Sequence, residues 1–308
     1  ALVTEHLSFS LPYRTIFEQV PSPGTIDRLV DALASLIVQL HLSGFYWGDV
    51  SLSNTLFRRD AGEFAAYLVD AETGELHPQL TRGQREYDIE LARTNVAGEV
   101  MDLLAGEHMQ QRLAQAGVDP ASVDPFAVSE RLVDTYTGLW DELTATEIFP
   151  VGDRWRVQAR VQRLNDLGFD VEEASMDADE SGQVHLRPRV VEPGHHARRL
   201  LHLTGLNTQE NQARRILTDI DQFGHALYPG LPEDLTAQLW MREIFVPIMA
   251  AVPAGLRRKR EPAQMIHEVL EHRWFMSEKA GKDVPTQDAV QDYVQSYLTE
   301  RPDEKDVF

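Results

Sequence analysis

The amino-acid sequence predicts an α+β fold, mostly helical and divided into two domains. Three observations lead there. Apolar residues recur at helical spacing in the stretches 25–43 and 84–146, and again from about Pro193 onward. Two pairs of short strand-like runs interrupt them, each pair joined by a turn-rich segment. The length of 308 residues also exceeds what one compact core usually needs.

In chain order, Ala1-Leu2-Val3 reads as a short strand, followed by the polar joint Thr4-Glu5-His6 and a proline-containing connection. Pro21-Ser22-Pro23-Gly24 is a loop by composition. Ile26, Leu29, Val30, Leu33, Leu36, Ile37 and Leu40 then keep the spacing of a buried helix stripe, which ends near Gly44. Strands are predicted at 55–58 and 66–69, with Asp60-Ala61-Gly62-Glu63 as their hairpin turn. Residues 84–146 are helical apart from a polar break at 116–124. The first domain is 1–148 and the second 149–308, a two-stranded α+β part followed by helices. Asp153 is expected to cap a helix that runs to Leu167 and stops at Gly168. Strands at 169–176 and 183–191 flank the acidic turn Asp177-Ala178-Asp179-Glu180, and Arg301–Phe308 is expected to be a frayed tail.

Composition narrows the function classes. Hydrophobic residues at 43% and charged residues at 25% are ordinary for a soluble globular chain. No apolar run reaches the ~20 residues of a membrane span, and no signal-peptide pattern opens the sequence. The absence of cysteine excludes disulfides, thiolate metal sites and cysteine nucleophiles, and fits a cytoplasmic protein. A net charge of −20 repels nucleic acid and anionic membranes except where basic residues gather. The chain opens inside an apolar stretch at alanine, and reads as a fragment.

The chemistry-bearing stretch runs from His41 to Phe57, with Tyr67-Leu68-Val69-Asp70-Ala71-Glu72 following. Phosphoryl transfer asks a protein chiefly for positioning, for a group beside the attacking hydroxyl, and for magnesium held on the phosphates. Magnesium takes hard oxygen ligands, usually one or two carboxylates completed by phosphates and water. Asp49 would orient or deprotonate the acceptor hydroxyl, Asn54 would offer its amide oxygen to magnesium, and Asp70 would bridge magnesium to the phosphates. Glu72 adds a carboxylate beside them or is a solvated loop residue. Asp-x4-Asn alone is common; its position between a long buried helix and a hairpin ending in aspartate makes it specific.

Gly48-Asp49 through Asn54-Thr55-Leu56 resembles the Gly-Asp-x4-Asn-x-Leu loop of the protein-kinase-like superfamily, on the lipopolysaccharide-kinase-like and small-molecule-kinase side. Val69-Asp70-Ala71-Glu72 is similar to the Asp-x-Glu metal loop of those branches. The wider chain also resembles an actinobacterial family that joins such a domain to a C-terminal region of its own. That likeness is carried by Leu2–Leu7, Leu11-Pro12-Tyr13-Arg14, Glu192–His196 and His267-Glu268-x2-Glu271-His272-Arg273-Trp274. The resemblance implies a kinase-like large lobe over 1–148 and ATP with Mg2+ as cofactors. Thr4, Glu5, His6 and Leu7 would form the hinge that binds adenine. The small lobe, with its glycine-rich loop and phosphate-binding lysine, would precede Ala1, so these 308 residues alone would be weakly active or inactive. The implied function is phosphorylation of a hydroxyl on a sugar, glycolipid or protein. The alternative is a pseudokinase or nucleotide-binding scaffold.

Four further features have weaker readings. Asp88 reads as a helix cap, with bracing of the catalytic loop as second choice. His267 and His272 stand five apart, about 140° round a helix, which does not match the four-residue zinc-protease spacing, so the segment reads as a buried, hydrogen-bonded helix contact in preference to a metal site. Arg187–Arg215 gathers six arginines around a helix-turn-helix-like segment. It is read as pairing with the acidic excess, as a face for an anionic or protein partner, or, least favoured, as a nucleic-acid face. Arg257-Arg258-Lys259-Arg260 reads as a solvated loop or helix end.

Overall fold

In the computed structural model the described residues are 6–19, 22–145, 147–150, 156, 159–160, 162–163, 169–178 and 183–306, the strands at 147–150, 169–178 and 183–193 by backbone alone. The expected strand at 1–3, Thr4, Glu5, the Asp153–Leu167 helix ends, Gly168 and residues 179–182 lie outside this set. The chain is mostly helical with small sheets, as its periodicity predicts. It forms two compact units: residues 11–58 with 63–193, and residues 1–10, 59–62 and 194–308. The sequence reading divided the chain at 148/149, whereas the main division of the units falls at 193/194.

The first unit is built on α2 (Pro23–Leu42), entered from α1 (Tyr13–Gln19). Ser22 caps α2 by accepting from the Thr25 amide, and Pro23 occupies the first turn, where a missing N–H is tolerated. Its stripe of Ile26, Leu29, Val30, Leu33 and Ile37 is almost fully buried. Strand β1 (Leu11–Pro12) pairs antiparallel with β3 (Thr55–Asp60), and β4 (Glu63–Leu68) lies on the other side of β3. Two residues with positive φ, Ala61 at 54° and Gly62 at 94°, form the turn between β3 and β4, the twist that a tight hairpin favours. Strands β2 (Phe45–Tyr46) and β5 (Glu75–Leu76) make a second small pair. Helices α3 (Arg82–Ala105), α4 (Glu107–Gln115) and α5 (Pro125–Thr144) follow; α5 packs on both α2 and α3. A third sheet has the order β6 (Glu147–Pro150), β8 (Gln183–Pro193), β7 (Phe169–Ala178), all antiparallel. Its strand β6 was not foreseen, because four residues that include a proline carry too little alternation to read.

The second unit contains α6 (His195–Thr204), α7 (Glu210–Leu227), α8 (Glu233–Trp240), α9 (Val246–Ala251), α10 (Pro262–Ala280) and α11 (Thr286–Ser296). Leu200, Ile216, Trp240, Ile266 and Val290 are among its core residues. The expectation of a frayed tail fails for its described part. Glu304 is 2% exposed and receives ion pairs from Arg59 and Arg260, each at 2.9 Å. The backbone amides of Glu304 and Lys305 both donate to the Arg258 carbonyl. Arg260 is likewise buried rather than solvated, because its guanidinium is neutralised by Glu304 and Glu268. Among the described residues no helix is long and apolar enough to cross a membrane.

Candidate functional site

The loop that carries Asp49 and Asn54 leaves the C-terminus of α2 through Gly44 and Gly48, both with positive φ near 80°. At Gly44 a Cβ would collide with the His77 carbonyl oxygen. At Gly48 it would lie 3.2 Å from the Thr73 carbonyl oxygen, so both positions suit glycine sterically as well as conformationally.

Helix α3 then fixes the loop peptide by peptide. The Trp47 and Gly48 amides donate to the two carboxylate oxygens of Asp88, at 2.9 and 2.8 Å. The Asn95 side chain donates to the Val50 carbonyl at 3.0 Å. Glu99 accepts from the Leu52 and Ser53 amides, both at 2.8 Å, and from the Ser53 hydroxyl. Asp88, Asn95 and Glu99 are seven and eleven residues apart. At ~100° per residue they fall within about 20° of one line along the helix. Hydrogen bonds between amides and carboxylates are the stronger, charge-assisted kind. Helix α3 therefore holds the loop at Trp47, Gly48, Val50, Leu52 and Ser53, while the Asp49 side chain is exposed.

Asp88 is consequently not a cap. Thr81 caps α3 through a capping box with Gln84, and Asp88 lies two turns inside the helix, completely buried. Its carboxylate also meets His41 Nε2 at 3.1 Å, while His41 Nδ1 is 2.8 Å from the Tyr136 hydroxyl. Burial pushes the Tyr136 hydroxyl pKa up to about 12. The bracing role, second choice from sequence, is the one observed. Asn95 and Glu99 were missed altogether. The available signal was a polar stripe at 88, 95 and 99 beside the apolar stripe Ile89, Ala92, Val96 and Val100.

Asn54 and Asp49 are in direct contact. The Asn54 side-chain amide donates to the Asp49 carboxylate at 2.9 Å and to the Asp49 backbone carbonyl at 3.1 Å. With both protons committed to one side, the amide oxygen faces away from Asp49. Asp70 belongs to the same neighbourhood through the backbone, because the Val69 amide donates to the Asn54 carbonyl at 3.1 Å. A second tie is the Thr73 hydroxyl, which donates to the Trp47 carbonyl at 2.8 Å. Asp70 is exposed, and one of its oxygens accepts from the Glu72 amide. The Glu72 side chain is exposed.

The donors fit magnesium in kind: one amide oxygen, and carboxylates at Asp70 and Glu72, all hard oxygens. They do not make a closed protein cage. Among the described residues no group of three or more His, Asp or Glu side chains is arranged to hold a metal. Of the expected adenine hinge, His6 and Leu7 are described. His6 lies 3.6 Å from Asp306, and the Leu7 carbonyl accepts from the Ser10 hydroxyl.

The arginine-rich segment is partly consumed by local partners. Arg199 pairs with Glu233 at 2.5 Å, and Arg198 and Arg214 are also engaged. The helix pair is locked by Glu210, which accepts from the His196 and Ala197 amides in the first turn of α6 and from the His196 ring. Asp60 does the same for α7, accepting from the Asn211 and Gln212 amides. The side chains of Arg187 and Arg189 are not described.

A family described as "Domain of unknown function (DUF4032)" matches residues 138–298, more than half of the chain. The chain belongs to the DUF4032 family. No curated protein matches it. The DUF4032 match opens in the last turns of α5 and runs through the helices of the second unit to Leu298. Asp49, Asn54, Asp70 and the α3 stripe precede it, so the family match is silent on the loop.

Proposed function

We propose that the chain carries the catalytic loop of a kinase-like phosphotransferase, using ATP and Mg2+ to phosphorylate a hydroxyl group. The observation that carries this reading is the Asp49–Asn54 pair on a loop whose backbone is clamped by Asp88, Asn95 and Glu99.

Clamping supports the reading because phosphoryl transfer is accelerated mainly by positioning and electrostatics. Asp49 would sit beside the acceptor hydroxyl, with the carboxylate oxygen not bonded to Asn54 receiving its proton. The hydroxyl oxygen forms the new bond to the γ-phosphorus while the bond to the β–γ bridging oxygen breaks. The Asn54 amide oxygen and the Asp70 carboxylate, with Glu72 as an additional donor, would hold Mg2+. When bound, the metal would neutralise charge on the phosphates. Asp88, Asn95 and Glu99 act through the loop and are positioning residues. The acceptor class, whether sugar, glycolipid or protein, is set by surfaces beyond this loop.

The test is Mg2+-dependent ATP consumption, measured on this chain and on any longer form with a lobe before Ala1. Loss of turnover in Asp49→Asn and Asp70→Asn, with the melting temperature kept, supports the reading. ATP binding without turnover in every form would instead identify a pseudokinase scaffold. No ATP binding in any form would remove both.

A further inference from the structure

The second unit contains a groove that phosphotransfer does not use. Helices α7 and α10 flank an open groove of about 530 Å3, within the range of small-molecule sites. Ile216 and Ile266, both buried, line it with Leu270, and the indole of Trp274, 58% exposed, stands at its edge.

Two polar groups in the groove are open to a ligand. The His267 side chain is only 7% exposed, yet its ring makes no hydrogen bond among the described residues. Its nearest ionic neighbour, Glu271, is 3.9 Å away. Burial holds the imidazole pKa below its ordinary value, opposed by Glu271 and assisted by the Arg215 guanidinium, so the ring is neutral near pH 7. Its ring nitrogens keep access to the groove and can bond to a ligand there. The second group is Arg215, exposed on α7, which has no ion-pair or hydrogen-bond partner among the described residues.

Four charged side chains line the groove: Arg214, Arg215, Asp219 and Glu271. Arg214 is engaged, and Asp219 accepts from the Trp240 indole N–H at 2.6 Å. That leaves a guanidinium to be matched and two carboxylates that would repel a multiply charged anion. A guanidinium fork matches a planar carboxylate in two parallel hydrogen bonds.

We propose that this groove binds a small monoanionic carboxylate with an aromatic or branched apolar body. The carboxylate pairs with Arg215 and accepts a hydrogen bond from His267, and the body lies against Ile216, Ile266 and Trp274. The site lies within the DUF4032 match and does not depend on the phosphotransfer reading.

Calorimetric titration of the intact chain with 3-phenylpropionate, its neutral amide and inorganic phosphate tests this. Saturable binding of the carboxylate is expected, at least about tenfold tighter than the amide, with phosphate failing to compete. Arg215→Gln should weaken it about tenfold at an unchanged melting temperature, since Arg215 is exposed; Asp70→Asn should leave it unchanged. No saturation by concentrations on the order of 10 mM, equal affinity for the amide, or full binding by Arg215→Gln would each overturn the proposal. The amide comparison uses the unaltered chain, so the outcome stands even if a variant misfolds.

Discussion

The side-chain amide of Asn54 donates to the carboxylate of Asp49 at 2.9 Å and to the Asp49 carbonyl at 3.1 Å. This pair closes the loop on itself and orients both side chains. One carboxylate oxygen of Asp49 and the amide oxygen of Asn54 remain for a ligand.

Asp49→Asn should lower kcat by about 100-fold to 10,000-fold with little change in KM for ATP, the range expected for losing a general base. Asp70→Asn should instead raise the Mg2+ concentration needed for half-maximal rate. Steady-state ATP turnover at varied Mg2+ checks both. Unchanged kinetics in both variants would leave the phosphotransfer proposal without support.

Asp88→Ala should destabilise the first unit by about 3 kcal/mol. It leaves the Trp47 and Gly48 amides and the His41 ring without their buried acceptor. Denaturant unfolding gives the magnitude. Amide exchange at Trp47 and Gly48 should quicken, whereas a mere capping role would leave it unaltered.

Glu304→Ala should cost about 3–5 kcal/mol. It strands the guanidinium groups of Arg59 and Arg260, the latter 2% exposed, without their shared carboxylate. Glu304→Gln should recover part of the loss by keeping one acceptor. A thermal melt unmoved by Glu304→Ala would contradict the buried clamp.

His267 provides a pH dependence. Its folded pKa lies below the ordinary 6.5, so the folded state binds the proton less readily than the unfolded chain. The corresponding stability is fully present above pH 6.5 and is lost as pH falls through the folded value. His267→Gln should flatten that part of the stability profile. An acid limb identical in the variant would show that His267 is not responsible.

Local pattern was enough for the elements around the site. The stripe of α2 is read from apolar spacing, and the turn at 60–63 from a glycine that tolerates positive φ. Pattern alone was not enough for Asp88, because a polar residue near a predicted helix start looks the same whether it caps or braces. The difference lies in a partner 41 residues away, the Trp47 amide. The basic run at 257–260 and the tail after Arg301 misled for a similar reason. Charge density suggests solvent, but Arg260 and Glu304 neutralise one another in the interior.

The order of residues already dictates a mostly helical α+β chain, the positions of Asp49, Asn54 and Asp70 at the ends of a loop and a hairpin, and the absence of thiol chemistry. These follow from local spacing and residue type, which act over a few neighbours. Only the packed chain shows that Asp88, Asn95 and Glu99 hold the loop, that Glu304 is buried between two arginines, and that His267 and Arg215 line one groove. Those outcomes depend on which distant backbone amide or charge meets each side chain once the helices pack, and residue spacing carries no record of that.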